Sequence, residues 1–169
     1  MSRPLLFGIW CSCAWMLLTT AQAQNPVVPT EIRPISATEF DALLDDARGE
    51  VILVNLWATW CAPCLREIPE LLRLSAKYRA SGFRLIAVAM DDPLDLETHV
   101  VPFRDQRFPA WDTFQRNEVE MDKFVSVVDP AWNEVLPSSY LINRTGKVVK
   151  KLFGGKSYEA FEAALLEIL

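Results

Sequence analysis

Histidine occurs once and glycine six times in the 169-residue chain. A single imidazole excludes most His-built metal sites, and so little glycine excludes low-complexity architectures. Basic clusters are also missing. Lys and Arg number 17 against 22 Asp and Glu, and the formal charge of −5 argues against a nucleic-acid backbone as the main partner. No internal repeat is visible. What remains is 51% apolar and 23% charged, the balance of a globular chain with one domain.

The N-terminus has one charged side chain, Arg3, in its first 23 residues, then an apolar stretch over residues 4–18 and the small-residue pattern Ala21-Gln22-Ala23. This stretch is shorter than the roughly 20 residues a spanning helix needs, so residues 1–23 are expected to be a secretory signal cut after Ala23. Retention as a membrane anchor is the alternative. Cys11 and Cys13 then fall within the signal, and neither presents the small-residue approach of a lipid-modified cysteine. Cys61 and Cys64 are left in an oxidising compartment, where an idle pair closes to a disulfide and a working pair must be kept reduced.

Residues 24–35 carry Pro26, Pro29 and Pro34 with no apolar period and are expected to form an extended linker of little order. Ser36-Ala37-Thr38-Glu39 is a capping box, and Phe40, Leu43, Leu44 and Ala47 continue a helix that Gly49 stops. Residues 51–57 are apolar throughout except Asn55, as in a strand covered on both faces. A helix over 65–80 and a second buried strand over 83–90 follow. Further on, the pattern predicts a helix over 91–106 starting near Pro93, a short strand over 108–111 and a short helix over 121–128. Strands over 139–143 and 147–153 are joined by Arg144-Thr145-Gly146, with glycine in the left-handed position, and an amphipathic helix over 157–169 closes the chain. This order describes a three-layer α/β domain over 36–169 with a mixed central sheet.

Cys61-Ala62-Pro63-Cys64 lies where the first buried strand ends and a helix opens. A helix N-terminus carries about half a positive charge and unpaired N–H groups, worth roughly 0.3–2 kcal/mol to an anion. That is enough to bring the Cys61 thiol from about 8.5 toward 7, and the thiolate is the form that attacks disulfides. Cys64, one turn inside, suits the second step of closing onto Cys61 and releasing product. Pro63 fixes the turn at an early position where no hydrogen bond is lost. A purely structural disulfide is a weak staple, because closing so short a loop gains only about 2 kcal/mol. Structural zinc needs four ligands, for which the chain beyond the signal offers two cysteines and His99.

The run from Asn55 to Cys64 resembles the thioredoxin superfamily, and Leu65-Arg66-Glu67-Ile68-Pro69 narrows the likeness to the TlpA/ResA-like branch of exported thiol-disulfide proteins. It extends more loosely over 36–169 and is weakest between Asp91 and Val135, where residues 129–135 depart from the familiar pattern. The resemblance implies a thioredoxin fold with an N-terminal extension. It implies that Pro137 is cis and faces Cys61, exposing the backbone of Leu136 to an extended substrate peptide. It further implies a partly buried Glu67 that exchanges protons with Cys64, and a Trp60 that packs beside Cys61 and shapes access together with Ala62 and Pro63. Thioredoxin has a buried Asp where this chain has Asn55, so proton duties of that Asp do not carry over. A peroxidase relative would have Thr where Ala58 stands. Trp57, Trp111 and Trp132 are expected in the core, His99 on a solvated helix, and Glu118, Glu120 and Asp122 in a solvent-facing run.

The expected function is reduction of protein disulfides in the periplasm, in cytochrome c maturation or a similar process. The electrons would come from a membrane donor of thiol-disulfide type, and no cofactor or metal is needed beyond the cysteine pair. Disulfide oxidation or isomerisation is the nearest rival. A Cu(I) chaperone using Cys61, Cys64 and His99 is the alternative from a different class.

Overall fold

A computed structural model describes residues 30–169; the expected signal, Cys11, Cys13 and most of the expected linker lie outside the described residues. Six strands form one mixed sheet in the order β1-β4-β3-β2-β5-β6. β2 (Val51–Trp57) and β3 (Phe83–Ala89) run parallel at its centre. β4 (Phe114–Arg116) and β1 (Arg33–Ile35) continue the parallel half. β5 (Ser138–Ile142) lies antiparallel to β2, and β6 (Val148–Phe153) antiparallel to β5.

The period of two along β2 sorts its side chains between two cores. Val51, Leu53 and Trp57 face α2 (Ala62–Tyr78) and α5 (Tyr158–Leu166), packing with Ile68, Leu71, Phe161 and Leu165. Ile52, Val54 and Leu56 face α1 (Ala37–Asp46) and α4 (Met121–Val125), where Phe40 stacks on Phe124 with ring centroids 4.9 Å apart. Asn55 falls on the α2 side by the same alternation. No helix among the described residues is long and apolar enough to cross a membrane.

Three expectations are corrected. The linker of little order gives up its end: Arg33–Ile35 pairs with β4, Ile32 is buried, and the buried Arg104 donates to the Thr30 carbonyl at 2.6 Å. Pro34 is tolerated because β1 is an edge strand. The helix expected over 91–106 is broken into a 3-10 turn (Pro93–Asp95), a π turn (Leu96–Val100) and α3 (Val101–Arg107). Pro102 has no N–H for the regular helical ladder, and Val101 bonds instead to the Leu96 carbonyl, five residues back. The strand expected over 108–111 is a turn closed by Trp111 N–H on Phe108 O, and the strand forms at Phe114–Arg116. Pro109 removes a ladder donor there, and the buried Trp111 ring packs edge-on to Trp57 at 6.3 Å.

Candidate active site

β2 delivers the chain to the C-terminal end of the parallel strands, where the Trp57 carbonyl accepts from Met90 N–H at 2.7 Å. The next turn is held from β3: Thr59 donates its N–H and its hydroxyl to the buried Asp91 carboxylate. Cys61 N–H bonds back to Ala58 O at 3.1 Å, which leaves Cys61 as the N-cap of α2. Its Sγ accepts the Cys64 N–H at 3.3 Å, and Pro63 lies in the first turn as expected. The two sulfurs are joined in a disulfide with Cα atoms 5.3 Å apart. Cys61 retains 5% exposure and Cys64 none, so Cys61 is the more accessible of the two.

Behind the disulfide, Glu67 occupies the same face of α2 as Cys64 and is 2% exposed. Its Oε1 accepts from Asn55 Nδ2 at 2.8 Å and its Oε2 from Lys156 N–H at 3.1 Å. Burial pushes the Glu67 carboxyl up to about 7, against the opposing pull of the Asn55 and Lys156 hydrogen bonds and the Lys156 charge. A buried carboxyl with a pKa near neutrality is suited to giving and taking protons.

Residues 37–151 match the AhpC/TSA family. The chain belongs to that family, within the thioredoxin superfamily. It is 33% identical over 125 residues to the thiol-disulfide oxidoreductase ResA of Bacillus cereus, covering 74% of this chain and 67% of the relative. Among solved structures it is similar to a putative thiol:disulfide interchange protein DsbE from Chlorobium tepidum (28% identity, TM-score 0.61, 73% of this chain and 83% of that one). StoA from Bacillus subtilis shares the fold at 18% identity and a TM-score of 0.55, over 69% of this chain and 82% of that one. The protein is a thiol-disulfide oxidoreductase.

The other residues expected at the site of this AhpC/TSA member take defined places. The Leu136–Pro137 peptide is cis, Pro137 is buried, and its carbonyl accepts from Gly154 N–H at 2.9 Å at the start of the β5–β6 ladder. Leu136 is half-buried, whereas Trp60 is 65% exposed beside Cys61. Ala62 and Pro63 open α2, and Gly155 backs onto Pro63, where an added Cβ would lie 3.4 Å from the Pro63 Cβ. Trp57 and Trp111 are in the core; Trp132 is half-buried and donates to Ser138 Oγ at 3.0 Å. His99 is exposed, 3.8 Å from Asp95, and among the described residues no three His, Cys, Asp or Glu side chains gather as a metal set. Glu118 departs from the solvent-facing run: its Oε1 accepts from Ala37 N–H at 2.6 Å, and its Oε2 is buried.

Asp91 and Lys156 are site residues that motif reading missed. Asp91 carried a faint signal, an acid directly after the second buried strand. Lys156 carried none, because it contributes a backbone N–H 89 residues away from Glu67.

Proposed function

We propose that the protein works outside the cytoplasm as a disulfide reductase, moving two electrons from the Cys61–Cys64 dithiol to a disulfide of another protein. The observation that carries this reading is Cys61 at the N-cap of α2 with the Cys64 N–H on its sulfur, an arrangement that favours the thiolate. In the reduced form the Cys61 thiolate attacks one substrate sulfur. The substrate disulfide breaks, a Cys61–substrate disulfide forms, and the second substrate sulfur leaves as a thiolate. Cys64 then gives its proton to Glu67 and attacks Cys61 Sγ, which releases the first substrate sulfur and closes the Cys61–Cys64 bond. Both substrate sulfurs are reduced, and both electrons come from the dithiol. The sulfur pair is the whole redox centre, with no added cofactor.

Trp60, Ala62, Pro63 and Leu136 would flank the substrate chain, with the Leu136–Pro137 segment offering backbone to an extended peptide. A membrane-bound thiol-disulfide donor would return the protein to its dithiol form, and cysteines of a cytochrome c precursor or a similar target fit as substrate. The test is the redox midpoint of Cys61–Cys64 together with a Cys64→Ser trap. A reducing midpoint and a mixed disulfide mapped to Cys61 are expected. A midpoint near about −120 mV, that of a dedicated oxidase, would reverse the direction of electron flow.

A further inference from the structure

Asn55 is the one polar residue in the apolar run of β2, and the redox cycle above gives it no task. It is fully buried on the α2 side of the sheet. Both hydrogens of its Nδ2 are used, one on Glu67 Oε1 at 2.8 Å and one on Ser139 Oγ at 3.0 Å, while its buried Oδ1 meets no donor among the described residues. An orphaned acceptor in a core is unfavourable, and an apolar residue would avoid it. One of the two donations made by the amide goes to Glu67, where it bears on the charge state of the carboxyl.

Both oxygens of Glu67 meet N–H donors from elements other than its own helix: Asn55 from β2 and the Lys156 backbone from the loop after β6. Donors of this kind stabilise a carboxylate and cannot accept the proton of a neutral carboxyl. To serve the neutral acid, the Asn55 amide would have to turn over and present Oδ1, with the Ser139 hydroxyl reversing from acceptor to donor. Two N–H groups would then be stranded where one oxygen is now. The Lys156 ammonium turns away toward the Phe153 and Gly154 carbonyls, so its charge acts on Glu67 from a distance. On α2 the titratable neighbours at helical spacing are Cys64, buried one turn before Glu67, and Glu70, half-buried one turn after it.

We propose that Asn55 is a positioning residue of the redox cycle: its buried amide favours the carboxylate form of Glu67, one helical turn from Cys64, so that the acid is ready to take the Cys64 proton. Without it, burial would keep Glu67 as a neutral acid over the working pH range. This rests on the reading of Glu67 as proton acceptor.

The test follows the 13Cδ chemical shift of Glu67 against pH in the reduced protein, alongside the pH profile of cysteine alkylation. Asn55→Ala is expected to raise the Glu67 midpoint by about one pH unit or more and to carry the alkylation inflection with it. Asn55→Asp, similar in shape, places a second carboxyl within hydrogen-bond reach and is expected to split the titration into two steps. An unmoved Glu67 midpoint in Asn55→Ala overturns the proposal, and if that variant does not fold, a single unshifted step in Asn55→Asp does so. Glu67→Gln separates the two ideas. If its alkylation profile matches the parent, the proton role of Glu67 fails, whereas the effect of Asn55 on the Glu67 midpoint is read independently from the chemical shift.

Discussion

Glu67 ties the chemistry to the stability of the protein at the scale of a single residue. Burial raises its carboxyl from 4.5 to about 7 in the folded protein. Between these values the folded chain keeps a proton that the unfolded chain has released, so stability falls as pH rises through that window. The contribution is fully present below 4.5 and lost above about 7, with a size on the order of 3 kcal/mol. Glu67→Gln has no such proton, and its urea midpoints at pH 5 and pH 8 are expected to lie closer together than those of the parent. Parallel pH dependence in the two proteins would contradict the assignment. The Cys61–Cys64 pairing, the burial of Glu67 and the cis Leu136–Pro137 peptide were legible in the sequence because those residues lie in two short contiguous motifs. The bonds that set the Glu67 environment were not, since Asn55 reaches it from a strand 12 residues earlier and Lys156 from a loop 89 residues later.

At the scale of elements, local signals were reliable where one physical cause acted alone. The capping box at Ser36 is present on both sides, with the Ser36 hydroxyl accepting from Glu39 N–H at 3.2 Å and Glu39 Oε2 accepting from Ser36 N–H at 2.8 Å. Ser36→Ala is expected to destabilise the fold by about 1 kcal/mol, read as a lower urea midpoint with an unchanged slope. No change in midpoint would mean that tertiary packing alone holds α1. Gly146 takes its left-handed turn at φ 84°, as the spacing of the hairpin required. Signals failed where two causes competed. Prolines 102 and 109 interrupted otherwise good helix and strand patterns, and the Pro-rich approach to α1 hid a strand whose partner lies 81 residues on, as in the pairing of Arg33 with Phe114.

Across the whole molecule, the sheet converges on one corner. β2 brings the cysteines, the residues just after β3 bring Asp91 to brace the turn before them, and β5 begins directly after Pro137. The loop after β6 closes over Pro63 and Glu67. The α/β class and the mixed sheet were legible from the order of periodic segments, because each buried face demands a covering layer. The edge strand β1 and the broken segment before α3 were not, because they depend on which surfaces meet only after folding. The most direct measurement of the central claim is the pH dependence of Cys61 alkylation in reduced Cys64→Ser protein. A sulfur at the α2 N-terminus should alkylate with a midpoint about one unit or more below the ordinary thiol value of about 8.5. A midpoint at or above that of a free thiol, with disulfide exchange surviving Cys61→Ser, would contradict the account.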